Sequence, residues 1–386
     1  MRPPVYVLLG LVGALAVSGC SGSAPPRAAS PVAGAPALQV ATVVAGLQNP
    51  WDVGFLPDGS LLVTERPGRV QLVRDGVATQ VRMDLADVYA RGEAGLMGLL
   101  VHPDFAASRK FSTCQAHAPG GSPVDVRVLT WTLAADGGSA TAAPQPLLAG
   151  LPLNPSGRHS GCRLGLDPAG ALMIATGDTA DPAAPQDLGN LGGKTLRADL
   201  ATGAPIAGGP FPAAPYVWTR GHRNLQGIAV RPSTGQVFTA EHGPSVDDEV
   251  NREVAGANYG WDPSQGGTVS RYDESVPMTD TTRFPDAVAA VWSSGASTEA
   301  VSGAAFVSGA QWGVYDGALM VAALKGQKML AMQLDAGGAV TAVNTPPELV
   351  DVAGRLRSVH QGPDGALYLT TDNGSDDAVL RVNPAA

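Results

Sequence analysis

One local pattern recurs along this chain and constrains its fold more than any other feature. A short turn that contains glycine is followed at once by an apolar run of strand length. Glycine tolerates the positive φ of a tight turn, and a short apolar run behind such a turn is typical of a β-strand. The runs are 60–64, 171–176, 236–240, 318–322 and 366–370, and the turn glycines before them are Gly59, Gly170, Gly235, Gly317 and Gly365.

These repeats predict an all-β fold of the propeller type. Radial repetition of small sheets leaves few unprotected sheet edges, so a chain of similar turn-and-strand units can close on itself. A sixth, degenerate copy lies around residues 102–105, and the uneven intervals predict long loops in some units. The alternative is a generic array of β-sandwiches. No stretch has apolar residues at helical spacing over several turns, so we expect very little helix.

The composition agrees with many short strands and excludes one class of function. Apolar residues make up 44% of the chain and charged residues only 15%, with 49 glycines and 32 prolines. Such a chain can build a large core with tight turns but offers few long charged helices. The formal charge of −9 gives no indication of the basic face that nucleic-acid binding needs.

The N-terminus is typical of an exported protein. One positive residue precedes an apolar run over residues 5–17, too short for the roughly 20 residues that span a bilayer. The run ends in small residues followed by Cys20, as in a bacterial lipobox. We therefore predict a signal peptide at 1–19, acylation of Cys20 with anchoring at the outer face of a membrane, a flexible tether at 20–37, and one folded domain at 38–386. The alternative is an ordinary cleaved signal peptide with an incidental cysteine.

Two cysteines remain in the folded domain, Cys114 and Cys162. An even pair in an exported protein favours a disulfide bond, because the compartment is oxidising. Two buried free thiols are the alternative.

Two polar segments carry candidate catalytic residues. In the first, His159 is followed one strand later by Asp178, placed to orient an imidazole as a general base. In the second, Arg223 and Asn224 stand in a dense polar run beside an apolar strand. A solvated turn is the alternative for the second segment.

Two further segments favour ion binding. Carboxylates, Glu249 among them, crowd the turn of Gly243 and Pro244, and such carboxylates with free backbone carbonyls are hard oxygen ligands suited to calcium. The spacing is not that of an EF-hand, and a solvated acidic loop is the alternative. Lys325, Arg355 and Arg357 form the other segment. An extended backbone places both arginines on one face, where they would pair with an anionic ligand unless all three cations face water.

The four segments, in their order and spacing, resemble the soluble glucose and sorbosone dehydrogenase family, which includes bacterial aldose sugar dehydrogenases. The resemblance extends over nearly the whole domain. It includes residues 46–51, 64–69, 95–98, 102–105, 361–365 and 371–374. It implies a six-bladed β-propeller that binds pyrroloquinoline quinone (PQQ) and Ca²⁺ and oxidises a sugar.

The resemblance also implies roles for individual residues. His159 would take the proton of the substrate hydroxyl as hydride passes to the quinone, and Asp178 would orient His159. Arg223 and Asn224 would contact the quinone oxygens, with Arg223 stabilising the developing charge. The PQQ carboxylates would pair with Lys325, Arg355 and Arg357. The carbonyls of Gly243 and Pro244 would hold the cofactor's calcium, and Glu249 and Tyr259 match positions used for a structural calcium.

The chain departs from the family pattern on the sugar side. Glu93 stands where the soluble glucose enzymes have glutamine, and Arg158 stands where they have an acidic residue before the catalytic histidine. Glucose is therefore not assumed as the substrate, and Arg158 either favours an acidic or differently shaped sugar or points to solvent. The pair Cys114 and Cys162 is a third departure, and a bond between them would brace the loop that carries His159.

We expect an oxidoreductase tethered to a membrane, which passes electrons to a separate acceptor that the sequence does not identify. A propeller lipoprotein that only binds or acts as a scaffold is the alternative of another class. A third interpretation is a calcium-dependent hydrolase with its metal on the central axis among side-chain carboxylates and amides.

Overall fold

The computed structural model describes Met1 and residues 33–385 of the chain. The predicted signal peptide and Cys20 lie outside the described residues, as does most of the tether. Within the described part the protein is almost all β, with 5% helix, and six small antiparallel sheets form a six-bladed propeller. The predicted fold class is confirmed.

The first three blades follow one another along the chain after the opening strand β1, Leu38–Leu47. Blade 1 contains β2 Pro50–Phe55, β3 Leu61–Glu65, β4 Arg69–Arg74 and β5 Val77–Gln80. Blade 2 contains β6 Leu96–Val101, β7 Lys110–His117, β8 Asp125–Leu133, β9 Ala140–Ala142 and β10 Leu148–Leu151. Blade 3 contains β11 Arg163–Leu166, β12 Leu172–Ala175, β13 Lys194–Ala198 and β14 Val217–Arg220.

The other three blades complete the ring. Blade 4 contains β15 Leu225–Val230, β16 Val237–Glu241, β17 Glu249–Arg252 and β18 Trp292–Ser293, and blade 5 contains β19 Val301–Phe306, β20 Leu319–Ala323, β21 Lys328–Leu334 and β22 Val340–Asn344. Blade 6 contains β23 Leu356–Gln361, β24 Leu367–Thr371 and β25 Asp377–Pro384. The short helices are α1 Phe105–Ser108 and the 3₁₀ turns Pro119–Gly121, Ala310–Tyr315 and Pro347–Leu349.

Blade 6 joins the two ends of the domain. Its outermost strand is β1, which pairs antiparallel with β25 from Leu38 opposite Pro384 to Leu47 opposite Asp377. The innermost strands of successive blades contact one another around the ring, and β23 of blade 6 contacts β2 of blade 1. Because the first strand of the domain completes the last sheet, the ring is closed by backbone hydrogen bonds.

The core lies between the faces of neighbouring blades. Leu172 and Ile174 of blade 3, for example, are fully buried in one apolar cluster with Val126 and Val128 of blade 2. A strand between two blades is covered on both faces, so the second strands β12 and β20 are continuous apolar runs without polar alternation. Each fully buried aliphatic side chain of this kind contributes about 1.5–3 kcal/mol through its removal from water.

The turn glycines predicted from the repeat have the conformation that the repeat requires. Gly59, Gly170, Gly235, Gly317 and Gly365 all have φ between 74° and 83°. At Gly59, Gly170 and Gly317 a Cβ would contact nothing within 4 Å, so the backbone angle and not space selects glycine there. The degenerate copy at residues 102–105 also joins the first two strands of its blade. There α1 replaces the tight turn, and Arg109 adopts φ 56°.

Candidate active site

The candidate residues lie at one face of the ring. All but Arg357 precede the innermost strand of a blade or follow the second strand, and in an antiparallel hairpin these two positions meet at the same end. Glu93, His159 and Arg223 precede β6, β11 and β15, while Asp178, His242 and Lys325 follow β12, β16 and β20. Arg355 precedes β23, and Arg357 is the second residue of that strand. The propeller therefore collects residues that are far apart in sequence.

His159 and Asp178 form a buried pair on blade 3. Nδ1 of His159 is 2.7 Å from Oδ1 of Asp178, and the two residues are 3% and 0% exposed. Since an ionised carboxylate only accepts hydrogen bonds, this contact places the proton of a neutral imidazole on Nδ1. The other ring nitrogen, Nε2, then carries a lone pair that can accept a proton. The structure brings together the two residues that the sequence proposed as base and orienting carboxylate.

Two aromatic side chains fix the Asp178 carboxylate from its other side. The indole Nε1 of Trp261 donates to Asp178 Oδ2 at 2.8 Å, and the Tyr272 hydroxyl donates to the same oxygen at 2.5 Å. Burial, followed by the charge of Asp178, raises the pKa of Tyr272 far above its usual range, so the phenol keeps its proton. With both oxygens occupied, Asp178 cannot rotate away from His159.

The backbone around this pair has several left-handed residues. His159, Cys162 and Thr179 have φ of 49°, 73° and 55°. A Cβ on Gly177 would lie 2.0 Å from the carbonyl oxygen of His159, so only glycine permits this approach of the two loops. Non-glycine residues in this conformation cost about 1–3 kcal/mol each, and they cluster at functional sites.

Cys114 and Cys162 meet beside the His159 loop. Their Cα atoms are 5.9 Å apart and their sulfur atoms are placed as a disulfide that links β7 of blade 2 to the residue before β11. Both side chains are fully buried. The pair therefore braces the segment between His159 and the innermost strand of blade 3.

Arg223 of blade 4 and Arg355 and Arg357 of blade 6 form a group of positive charges near His159, which we call the cationic floor. Arg357 is 6% exposed; its Nε donates to Asp372 at 2.8 Å and its Nη1 to the Gln226 side chain at 3.0 Å. Arg355 donates from Nε to the Asp372 carbonyl at 3.0 Å. Burial of Asp372 opposes its ionisation, but the charge of Arg357 outweighs burial and lowers the Asp372 pKa. The pocket beside them holds three guanidinium groups, those of Arg66, Arg355 and Arg357, and two carboxylates, those of Asp372 and Glu93. One net positive charge remains for an anionic ligand.

Three buried polar atoms of this region have no hydrogen-bond partner among the described residues. They are Nε of Arg223, Oδ1 of Asn224 and Nε2 of His242. Burial, with the charges of Arg223 and Arg357, lowers the pKa of His242 to about 3, so this imidazole is neutral at ordinary pH. Buried polar groups are nearly always paired, and unpaired ones that cluster in one region indicate a ligand position.

Glu93 reaches the same region, whereas Lys325 does not engage it in this conformation. The Glu93 carboxylate accepts from Asn224 Nδ2 at 2.8 Å and lines a pocket of about 300 Å³ with Arg66, Arg355 and Arg357. Lys325 lies at the same face of the ring, but its side chain is exposed and has no charged partner among the described residues. The predicted site is thus assembled around the arginines, with Lys325 at its rim.

The candidate calcium ligands lie on blade 4. The carbonyl oxygens of Gly243 and Pro244 accept no hydrogen bond from the described residues, while Gly243 N donates to Asp248 at 2.9 Å. Glu249 accepts from Thr279 at 3.1 Å; burial, with the nearby Glu241, raises its pKa to about 8. The hydroxyl of Tyr259 donates to the Arg252 carbonyl at 2.6 Å, so only the backbone of Tyr259 could bind a cation.

Several residues of the site were missed by sequence reasoning. Trp261, Tyr272 and Glu274 lie in the long connection between β17 and β18, which folds over His159. Asp372 and His242 follow second strands, as Asp178 does. Asp372 and His242 could have been predicted from the sequence, because residues that follow second strands meet at one face of the ring. The long connection has no periodicity, and its length was its only signal.

Arg158 lies on the solvent side of the pair formed by His159 and Asp178. Its Nη2 donates to Glu274 Oε1 at 2.6 Å, its Nε lies 3.3 Å from His159 Nε2, and its guanidinium lies 5.2 Å from the ring centre of Tyr272. Glu274 also accepts from Arg223 Nη2 at 2.5 Å. Arg158 is therefore held at the mouth of the site.

The fold and the face residues together define a propeller of the sugar-dehydrogenase class. The family model described as glucose/sorbosone dehydrogenase matches residues 47–381. The chain belongs to the glucose/sorbosone dehydrogenase family, as its motifs predicted.

Relatives in sequence and structure agree. The chain is similar to the aldose sugar dehydrogenase YliI of Escherichia coli, 30% identical over 345 residues that cover 88% of this chain and 91% of the relative. A putative oxidoreductase (glucose dehydrogenase) from Thermus thermophilus is 37% identical, with a TM-score of 0.75 and coverage of 89% and 99%. The PQQ-bound aldose sugar dehydrogenase of Streptomyces coelicolor is 29% identical, with a TM-score of 0.73 and coverage of 91% and 99%. These relatives support a sugar oxidoreductase.

Proposed function

We propose that this protein oxidises an aldose or a related sugar with PQQ and Ca²⁺, with His159 as the general base. The observation that carries the proposal is the arrangement of His159 Nε2, oriented through Asp178, beside a cationic floor with buried polar atoms that have no partner among the described residues. A base alone would be compatible with many reactions. A base next to several guanidinium groups and unpaired polar atoms favours a redox cofactor that carries carboxylates and carbonyl oxygens, as a quinone such as PQQ does.

The residues present fit PQQ, which carries three carboxylates and two quinone oxygens. Arg355 and Arg357 would hold carboxylates, and Lys325 would join them by turning inward from the rim. Arg223 Nε is an unpaired donor that suits a quinone oxygen, and Asn224 would offer its side-chain amide. When bound, PQQ accepts the hydride released from the sugar carbon.

The blade 4 turn fits a calcium ion that supports the cofactor. Free carbonyls of Gly243 and Pro244 are hard oxygen donors of the kind that Ca²⁺ prefers. Glu249 and the backbone of Tyr259 would serve a second, structural ion. Thr279 lies near both of these residues, since its hydroxyl donates to Glu249 and its backbone lies against Gly260, the residue after Tyr259.

The chain's own residues divide the chemistry between them. His159 accepts the hydroxyl proton at Nε2, and Asp178 stabilises the resulting imidazolium through Nδ1. Trp261 and Tyr272 hold Asp178 in place. Arg223 stabilises negative charge that develops beside it, because its guanidinium is 4% exposed and already oriented by the His242 carbonyl at 3.0 Å. Glu93 and Arg158 lie on the substrate side.

The central axis favours this interpretation over a calcium-dependent hydrolase. Asp52, fully buried, pairs with Arg163 at 2.6 Å and with His360 at 2.6 Å, and these residues come from three different innermost strands. An arginine thus already neutralises this axial carboxylate, so a divalent cation there would meet a positive charge.

The proposal extends to the protein's location. The lipobox-like N-terminus supports export and acylation of Cys20, with electrons passed to an unidentified acceptor in the cell envelope. Among the described residues, no helix has the length and apolar character needed to cross a membrane. Cys20→Ser should release the protein from the membrane fraction, and mass spectrometry of the mature N-terminus should find a diacylglyceryl group on the wild type alone.

The direct test is a titration of the purified, calcium-loaded protein with PQQ, followed by a panel of aldoses with an artificial electron acceptor. We expect calcium-dependent binding and sugar-driven reduction, with turnover lost in His159→Ala while PQQ still binds. Arg357→Gln should instead weaken PQQ binding. No binding by the wild type would favour the alternative of a propeller lipoprotein that acts as a binding or scaffold protein.

A further inference from the structure

Glu274 connects two arginines that flank His159. Its Oε1 accepts from Arg158 Nη2 at 2.6 Å and from Arg223 Nη2 at 2.5 Å. The Arg223 side chain is 5% exposed, while those of Arg158 and Glu274 are 41% and 39% exposed. The three side chains, which we call the Glu274 bridge, therefore extend from the buried floor of the site to its mouth.

The Glu274 bridge lies against the atom that has to receive the substrate proton. Arg158 Nε is 3.3 Å from His159 Nε2. A sugar hydroxyl that reaches Nε2 must take the place of this contact, so the sugar will lie against Arg158 and Glu274. Both residues are thus positioned to touch the substrate.

The Glu274 bridge contains one negative and two positive charges. Burial opposes the ionisation of Glu274, but its hydrogen bond to Arg223 and the charges of Arg223 and Arg158 lower its pKa. The carboxylate is therefore ionised at neutral pH and offsets one of two guanidinium charges. Without it, two cations would face the sugar with no anion between them. The place between them would then suit the carboxylate of an acidic sugar.

We propose that Glu274 is a specificity residue that confines this site to uncharged sugars. It occupies, with its own carboxylate, the place between Arg158 and Arg223 that a uronic acid would otherwise take. An acidic sugar would meet a negative charge there and find both guanidinium groups already paired, so its carboxylate would be desolvated without compensation. The inference rests on the proposed sugar oxidation and assigns the class of sugar.

The test compares glucose with glucuronic acid, which differ by a carboxylate on the same ring. Glu274→Gln keeps the hydrogen-bonding shape and removes the charge. We expect the ratio of kcat/KM for glucuronate to that for glucose to rise about tenfold or more, equivalent to about 1.4 kcal/mol. Asp286→Asn, an exposed site on the same connection, removes one charge elsewhere and should leave the ratio unchanged. Glu274→Gln combined with Arg158→Gln should reverse much of the rise.

A binding measurement separates this inference from the proposed reaction. Calorimetric titration of the cofactor-free full-length protein should show glucuronate binding to Glu274→Gln and not to wild type. Glu274→Ala serves as a second variant if the glutamine variant unfolds early in a thermal scan. If wild type oxidises aldoses but neither variant gains glucuronate binding or turnover, the specificity role is wrong. If wild type oxidises no sugar, the proposed function fails, whatever the variants bind.

Discussion

His159 and Asp178 are joined by a 2.7 Å hydrogen bond from Nδ1 to Oδ1. His159 lies just before β11 and Asp178 just after β12, at the open end of the hairpin that these strands form. The hairpin register pairs Arg163 with Ala175, which brings the residues outside both strands together. The orientation of the His159 imidazole is therefore a consequence of strand pairing in one blade. Its tautomer depends on the charge of the carboxylate.

Replacing Asp178 with asparagine should stop catalysis without unfolding the protein. An amide can donate to Nδ1, which would leave the imidazole proton on Nε2, where it blocks proton transfer. We expect kcat to fall at least about a hundredfold, since a general base contributes about 10²–10⁴. Steady-state kinetics measures the effect, and Asp181→Asn, at an exposed position three residues further along the same loop, is the control. Unchanged kcat in Asp178→Asn would show that another residue takes the proton.

A disulfide bond between Cys114 and Cys162 should stabilise the propeller. Non-reducing peptide mapping should find the two cysteines cross-linked. The double variant Cys114→Ala/Cys162→Ala should lose about 2–4 kcal/mol of unfolding free energy, because the bond restricts an unfolded chain with a separation of 48 residues. Urea unfolding measures the loss. A reducing agent should destabilise the wild type and leave the stability of the double variant unchanged. Free thiols at both positions in the wild-type protein would show that the bond is not formed.

Asp52 should make the protein acid-sensitive. Burial opposes its ionisation, but the charges of Arg163 and His360 outweigh burial and lower its pKa below 3.8. With the folded pKa depressed, its stabilising contribution is complete above the unfolded pKa and is lost as pH falls through the folded value.

Asp52→Asn should therefore cost about 3–5 kcal/mol at pH 7, since Arg163 would remain buried without its counter-ion. Wild type and variant should converge in stability at the most acidic pH. Urea unfolding over a pH series measures both curves, and exposed Asp286→Asn is the control. A stability difference that stays constant as the pH falls through the folded pKa of Asp52 would contradict the assignment.

Calcium should stabilise the protein by binding only the folded state. Millimolar Ca²⁺ should raise Tm and a chelator should reverse the rise, as measured by differential scanning calorimetry. Glu249→Gln should reduce the rise. Gly243→Ala should do so as well, because the added Cβ would lie 1.9 Å from the Val246 carbonyl oxygen and displace the turn. Equal stabilisation by Mg²⁺, or by Ca²⁺ in both variants, would argue against these sites.

Much of the site was predictable because the blade repeat orders the sequence. Residues that precede an innermost strand or follow a second strand share one face, which is why His159, Asp178, Arg223 and Arg355 lie at the same face of the ring. Tyr272 and Glu274 follow no such rule. They lie in an irregular connection, and their contacts with His159 and Arg158 depend on where that connection folds back.

The sequence by itself determined the propeller, the family and the identity of the chemical groups, because turn glycines, apolar runs and short motifs act locally. Only the tertiary structure decided how those groups pair. Closure of the ring brings residues of different blades within hydrogen-bond distance, so Glu274 joins Arg158 to Arg223 while Lys325 stays at the rim. Charge partners across a ring are set by packing of all six blades, and no local pattern specifies them.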